Sequence, residues 1–306
     1  MDEQDSLNEA THCEDSVFKS DEFAVYEREF KRYTDENLRG QSCHTDFLTE
    51  LSDEAPLFQE KILQLAQWWR EADRVVAFTG AGVSTASGLP DYRGPKGIWT
   101  RKLRGEKVSD DLGVDVRDFS PTLAHIALTR MHREGIVAHV VTTNVDGLHL
   151  SAGLPAEVLS QVHGNLFVEE CAGCLRRFHR DFVVRTATGL FDHLTGRVCE
   201  DCGGPLRDTI VNFGNTVEHV PSMEAEHDRA WVECVKADLV VVFGSSLSVP
   251  SACDLPEECL VPRDSKLNGG RLVIVNLQRT PKDNLVSLRI FARCDEVLEA
   301  LETQLA

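Results

Sequence analysis

Short, almost uninterrupted apolar runs alternate along this chain with longer stretches in which apolar residues return every three or four positions. The runs Val75–Thr79, Ile136–Thr143, Leu239–Phe243 and Leu272–Val275 are rich in β-branched residues and have the length of buried parallel strands. The longer stretches predict helices. One opens at Pro56 and puts Leu57, Ile62, Leu65, Ala66 and Trp69 on one face. Another opens at Ser120-Pro121, an N-cap and first-turn pair, and runs through Leu123, Ile126, Ala127 and Met131. Strands alternating with helices predict an α/β fold built on a doubly wound parallel sheet. Each predicted strand stops at a glycine or polar turn: Gly80, Asn144, Gly244-Ser245-Ser246 and Asn276-Leu277-Gln278. Ligands of such sheets bind beyond the carboxyl ends of the strands, so the four turns predict one site. Taken singly, each turn also fits an ordinary connecting loop.

The turn after Val75–Thr79 carries the most chemistry. Gly80-Ala81-Gly82-Val83-Ser84-Thr85 begins like a dinucleotide fingerprint, with glycines for a tight turn and close backbone approach to a pyrophosphate, but Thr85 occupies the third glycine position. The following Leu89–Trp99, with Pro90, Asp91, Tyr92, Arg93, Gly94, Pro95 and Gly97, is too rich in helix breakers for a normal crossover helix. It predicts a charged, aromatic flap over a bound dinucleotide, which suits an enzyme that cleaves the cofactor better than a hydride-transfer dehydrogenase.

Cysteine spacing adds a second centre. Cys171-x-x-Cys174 and Cys199-x-x-Cys202, separated by 24 residues, have the spacing of two thiolate knuckles closing a tetrahedral zinc site. Four thiolates leave no open coordination position, so the zinc is expected to be structural. Arg176, Arg177, His179 and Arg180 lie between the pairs without an aromatic stacking array, which leaves direct nucleic-acid binding open. The other six of the ten cysteines have no partner spacing and are read as plain thiols.

Charge changes the picture at one end. Of the net charge of −18, twelve negative charges fall in residues 1–60, where 17 Asp and Glu face five Lys and Arg. Residues 1–55 are therefore expected to be an acidic, partly disordered tail, with a role as an interaction tail for basic partners as the alternative. No apolar stretch is long enough to span a bilayer, so no membrane partner is expected.

Taken together, seven ordered motifs resemble the Sir2 family of NAD-dependent protein deacylases: Gly80–Ser84, Pro90–Pro95, Asn144-Val145-Asp146-Gly147-Leu148-His149, Val162-His163-Gly164-Asn165, the four cysteines, Gly244–Leu247 and Val275–Gln278. Within the family the chain looks most like the class IV branch that contains sirtuins six and seven, on the side of sirtuin seven. The resemblance covers about residues 56–305. It implies a Rossmann-like NAD-binding catalytic domain (residues 56–164 and 212–306) with a small zinc-ribbon domain inserted at 165–211. The family's cofactor site falls on Gly80, Ala81, Gly82, Ser84, Thr85, Asp91, Tyr92, Arg93, Trp99, Thr143, Asn144, Asp146, Gly244, Ser245, Ser246, Asn276, Leu277, Gln278 and Cys294. Asn144 and Asp146 would hold the nicotinamide ribose and carboxamide, and His163 matches the catalytic histidine.

In the family the acyl oxygen attacks the nicotinamide ribose and nicotinamide leaves; a base then activates a ribose hydroxyl, and water releases the lysine and O-acetyl-ADP-ribose. A histidine titrating near neutrality suits that base. An extended acyl-lysine peptide would add as a strand between Phe213-Gly214 and Leu247-Ser248-Val249. The implied partners are acyl-lysine proteins, histones among them. A nuclear location is implied too, while the lack of a basic targeting run leaves a cytoplasmic one open. Two departures stand out: Thr142-Thr143-Asn144 where the family usually has Thr-Gln-Asn, and Phe213-Gly214-Asn215 where many members have Phe-Gly-Glu. Mono-ADP-ribosyl transfer, or an NAD-sensing chromatin-binding module of weak activity, are the alternatives to deacylation.

Overall fold

The computed structural model describes residues 49–106, 116–185, 192–212, 215, 220–249, 252–262 and 269–306, and most of the predicted acidic tail lies outside them. In chain order the described elements are α1 (Ala55–Glu71), β1 (Val75–Thr79), α2 (Ile98–Leu103), α3 (Leu123–Arg133), β2 (His139–Thr142), α4 (Leu148–Ser151), β3 (Leu159–Gln161), β4 (Val168–Cys171), β5 (Arg177–His179), β6 (Leu194–Val198), β7 (Pro205–Asp208), α5 (Ser222–Lys236), β8 (Leu239–Phe243), β9 (Arg271–Val275), β10 (Leu288–Ile290) and α6 (Cys294–Leu305).

Six strands form one parallel sheet in the order β10-β9-β8-β1-β2-β3. Ala77 of β1 sits between Val140 of β2 and Val241 of β8. Successive strands run outward from β1 in one direction and from β8 in the other, so the switch point lies between these two, where a crevice for ligands opens. Both faces are covered. Val75, Ala77, Val241 and Phe243 pack against Ile62, Leu65 and Trp69 of α1, Leu128 and Met131 of α3, and Leu298 and Leu301 of α6. Val76, Phe78, Val240 and Val242 meet Ala230 and Cys234 of α5 and the 3-10 segment Ala252–Leu260. Burial on both faces is why these strands read as continuous apolar runs.

Two predicted boundaries shift. Helix α3 starts at Leu123 because Thr122, not Ser120, closes a capping box with His125. Leu57 stands 45% exposed, outside the buried stripe of Ile62, Leu65, Ala66 and Trp69. Before α1, Leu51 N–H bonds Leu277 O at 2.7 Å, Asp53 N–H bonds Phe291 O at 2.8 Å, and the Asp53 carboxylate takes Lys61 at 2.7 Å. Residues 51–53 are thus tied to the strand ends that bear the Asn276 turn.

Between β3 and α5 the chain builds a second, antiparallel sheet, β5-β4-β7-β6. Its apolar cluster is small: Cys171, Cys199 and Leu206, with Phe178 against them. Charge does much of the packing. Glu169, fully buried, takes Arg180 at 2.8 Å and Arg197 at 2.5 Å, and Glu170 takes Arg207 at 2.6 Å. Arg177 bridges from this sheet to Glu226 of α5 at 2.6 Å.

Candidate active site and metal centre

The glycine turns after β1 and β8 nest into one another. Gly80 N–H bonds Phe243 O at 3.0 Å and Gly82 N–H bonds Gly244 O at 2.8 Å. A Cβ at Gly82 would lie 2.6 Å from the Gly244 Cα, and one at Gly80 2.7 Å from the Ser245 Cα. The sequence assigns these glycines to pyrophosphate approach; their structural job is also to let two loops touch backbone to backbone at the switch point. Two 3-10 turns follow, Ala81–Val83 and Thr85–Ser87, in place of a long crossover helix. Thr85 is exposed, and its hydroxyl bonds the Gly82 carbonyl at 3.1 Å.

From the end of β2, Asn144 reaches under this loop. Its amide donates to Gly80 O at 3.1 Å and to Ser84 Oγ at 3.2 Å, while Ser84 donates to Asp146 Oδ2 at 2.7 Å. The other Asp146 oxygen accepts the Leu148 N–H at 2.9 Å and so fixes the start of α4. Thr143 turns its hydroxyl to the Thr79 carbonyl at 3.2 Å. That bond closes the β1–β2 strand ends, using the side chain at the position where the family usually carries glutamine.

His163, just beyond β3, has its Nδ1 3.1 Å from the Thr143 carbonyl. A carbonyl only accepts, so Nδ1 carries the proton and Nε2 keeps its lone pair. Burial pulls the pKa of this ring down to about 4 against that hydrogen bond, with the charges of His227 and Arg93 pushing the same way as burial. The part-buried ring is thereby held neutral at pH 7, its pKa lying below the near-neutral titration expected from the sequence. Its backbone is pinned as well. Val211 N–H bonds His163 O at 3.0 Å, Glu226 accepts Gln161 N–H at 3.0 Å, and Asn165 donates to the Gln161 side chain at 2.6 Å. Gly164 has φ +84°, and a Cβ there would fall 1.9 Å from Thr209 O, so the chain re-entering from the small sheet needs glycine beside the histidine.

The flap is latched from two sides. Arg93 Nη1 donates to Ser246 Oγ at 3.0 Å, and Gln278 Nε2 donates to Arg93 O at 3.2 Å. Asp91 folds onto the Gly94 N–H at 2.9 Å, and burial, with Glu50 nearby, raises its pKa. Tyr92 is half-buried in the same segment, and Trp99 is the second residue of α2. Asn276 donates to Gln278 O at 3.0 Å, next to Leu277. The turns of Gly80, Asn144, Gly244–Ser246 and Asn276–Gln278 therefore meet with His163 at the carboxyl ends of the parallel strands.

Other predicted positions stand apart. Cys294 is buried in the same apolar cluster as Val83, and burial pushes its thiol up to about 12. Its sulfur belongs to the core, leaving its backbone at the start of α6 as the part nearest the glycine loop. Leu247, assigned to the substrate strand, has φ +49° and a side chain in the core with Phe78 and Val162, which leaves only its backbone for pairing. Val249 is part-exposed, and Phe213 and Gly214 lie outside the described residues.

At the small sheet, the Sγ atoms of Cys171, Cys174, Cys199 and Cys202 all fall within 4.8 Å of one another. The pairs Cys171–Cys202 and Cys174–Cys199 are 3.4 and 3.7 Å apart. A tetrahedron of sulfurs with Zn–S near 2.3 Å has edges of about 3.8 Å, so the donor set fits zinc. Each pair turns as a knuckle. The residue after the second cysteine is left-handed in both, Leu175 at φ +60° and Gly203 at φ +71°, and it donates back to Cys171 O at 3.0 Å or Cys199 O at 2.9 Å. Gly173 and Cys174 N–H groups also point at the Cys171 sulfur, at 3.3 and 3.4 Å.

Comparison with known proteins agrees with this arrangement. The family model described as Sir2 family matches residues 111–251. The NAD-dependent protein deacetylase Sirt6 of Drosophila melanogaster is 34% identical over 257 residues, covering 81% of this chain and 76% of that protein. The chain belongs to the Sir2 family. It is also 42% identical over 277 residues to the NAD-dependent protein deacetylase sirtuin-7 of Bos taurus, covering 88% of this chain and 66% of that protein. The chain thus spans just under two-thirds of the sirtuin-7 relatives it matches. A Sir2 structure with a p53 peptide and NAD+ superimposes with a TM-score of 0.58 at 28% identity, covering 79% of this chain and 97% of that one.

In this Sir2 chain, the sequence places Thr79 and His149 only in a strand and a motif, with no role of their own, and does not single out His125. Thr79 Oγ1 lies 2.9 Å from His149 Nε2, and the rings of His149 and His125 meet edge to face at 4.6 Å beneath the Asn144 turn. Nor does the sequence single out Glu226 of α5, which holds the Gln161 backbone two residues before His163, or Arg289 of β10. Residues that act by holding others leave no spacing signal in a single sequence.

Proposed function

We propose that this chain is an NAD-dependent protein-lysine deacetylase that passes the acyl group to ADP-ribose and releases nicotinamide. The observation that carries the reading is His163: neutral at pH 7, its Nδ1 proton committed to Thr143 O and Nε2 left free, in the cleft where the glycine turns, Asn144 and Arg93 converge. NAD, when bound, supplies an electrophilic ribose carbon with nicotinamide as leaving group. The residues present fit it. The nested glycine turns offer open backbone at the switch point, buried Asn144 and Ser84 with part-buried Asp146 form a polar floor for the nicotinamide ribose, and Asn276 with Gln278 receives the adenosine half. His163 Nε2 takes a proton from a ribose hydroxyl. Arg93, held by Ser246 and Gln278, keeps the flap closed against water that would hydrolyse the dinucleotide.

The zinc ribbon, residues 165–211, is a structural module inserted between the two parts of the catalytic domain, 56–164 and 212–306, after an acidic segment 1–55. The substrates are acyl-lysine proteins of the nucleus, histones included, and the peptide lies against Leu247–Val249 by its main chain. In the test, nicotinamide release requires an acetyl-lysine peptide and falls about 10²–10⁴-fold in His163→Ala. Release that ignores the peptide or the substitution overturns the reading. Thr143 favours one second reading. Its hydroxyl is spent on Thr79 O, so the ribose loses a glutamine-type contact at that position, and ADP-ribose would pass to a protein nucleophile. Stable labelling of protein by NAD without deacylation selects that reaction.

A further inference from the structure

β10 carries one cation whose donors all turn back into the fold. Arg289 Nε donates to Asp283 Oδ1 at 2.9 Å. Its Nη1 lies 3.2 Å from Ile274 O, 3.0 Å from Asn276 O and 2.7 Å from Ile290 O, and Nη2 donates to Gln278 O. The guanidinium stacks on Phe291 with its carbon 4.0 Å from the ring centroid, and the side chain is only 11% exposed. Asp283 is itself held by Thr280 Oγ1 at 2.7 Å. Three of the acceptors are the carbonyls of residues 274, 276 and 278, alternate residues at the end of β9 and in the turn beyond it. One planar fork therefore sets the path of the whole turn, which a point-charge ammonium cannot do.

That turn does two things in the site. It presents Asn276 and Gln278, and through Gln278 Nε2 it holds the Arg93 carbonyl of the flap. A buried cation with a single carboxylate is a poor choice for stability alone, because apolar replacements of buried ion pairs are often neutral or stabilising. Its value lies in geometry. We infer that Arg289 is a positioning residue for the dinucleotide: it shapes the Asn276–Gln278 turn to receive the adenosine half and, through Gln278, sets the flap. This rests on the reading of that turn as part of the NAD site.

The test compares wild type, Arg289→Lys, Gln278→Ala and the double variant, with ADP-ribose binding by calorimetry and steady-state kinetics on an acetyl-lysine peptide. Arg289→Lys keeps the charge and loses the fork. It should weaken ADP-ribose binding and raise KM for NAD about tenfold, as expected for charge-assisted hydrogen bonds lost from one loop, and leave kcat at saturating NAD and KM for the peptide within about twofold. Gln278→Ala should do the same, and the double variant should be little worse than either. Should Arg289→Lys fail to fold, Phe291→Leu removes the stacking face but no donor and should give the same pattern at about threefold. A lowered Tm with ADP-ribose affinity unchanged, or multiplicative effects in the double variant, overturns the inference. Wild type that binds no ADP-ribose overturns the NAD reading beneath it.

Discussion

In β1, Val75, Val76, Ala77 and Phe78 are all buried, alternately against two separate helical layers, whereas β6 of the small sheet leaves Leu194 53% and Val198 65% exposed. The large sheet is held by apolar burial on both faces. The cluster of the small one has a single buried aliphatic side chain, Leu206, packed on two of the four metal-site cysteines, and beside it a buried Glu169 is shared by two arginines. Each region therefore has a different point of failure. The large sheet positions its loops by backbone nesting. The small sheet has too little core to fold on apolar contacts, so its geometry depends on a metal and on ion pairs. The two are joined at His163, which sits where β3 leaves one sheet and Val211 returns from the other.

Metal removal is the strongest way to separate them. Stripping zinc with a chelator removes a folding contribution on the order of 10 kcal/mol from the small sheet. Limited proteolysis should then cut within 165–211 while a fragment bearing β1 and β8 stays resistant, and activity should be lost with the ribbon. A small sheet that stays protease-resistant without metal would break the comparison.

Acid reaches the large sheet by another route. Burial holds His163 and His139 down to about 4, with His139 also bonded to Ser160 Oγ at 2.8 Å. Both are neutral in the fold, so between the ordinary value near 6.5 and about 4 the unfolded chain binds protons that the folded chain refuses. Their contribution to stability is complete above pH 6.5 and declines as pH falls toward 4, by up to about 3 kcal/mol for the more enclosed His139. Urea melts at pH 7.5 and 5 should show this loss, and His139→Asn should flatten the slope between them. An unchanged slope in that variant would refute the assignment.

The smallest effect sharpens the comparison inside the ribbon. Leu175 and Gly203 occupy equivalent left-handed positions of the two knuckles, but only Gly203 is free of a Cβ penalty. Leu175→Gly should therefore stabilise the zinc-bound protein by up to about 1 kcal/mol, read as slower zinc loss to a competing chelator. Faster loss would show that Leu175 contributes by packing instead.

Much of this was legible in the chain. Val75–Thr79 and Leu239–Phe243 emerge with the predicted bounds, because strands buried on both faces need an uninterrupted apolar run. The two cysteine pairs converge as their spacing requires. By contrast, β3 and β10 have three residues each and no period to detect, and Ile136–Thr143 shortens to His139–Thr142 once the turn at Gly135 takes its first residues.

Sequence by itself determined the alternation of strands and helices, the polar strand ends and the thiolate set, since local spacing and side-chain type suffice for each. Only the tertiary structure decided that Gly82 and Gly244 face one another, that Thr143 spends its hydroxyl on Thr79, that the His163 ring is held neutral, and that Arg289 gathers one turn around itself. All four depend on which backbone comes near which side chain across long stretches of sequence, and on how much water is excluded there. Neither quantity is written in any local pattern.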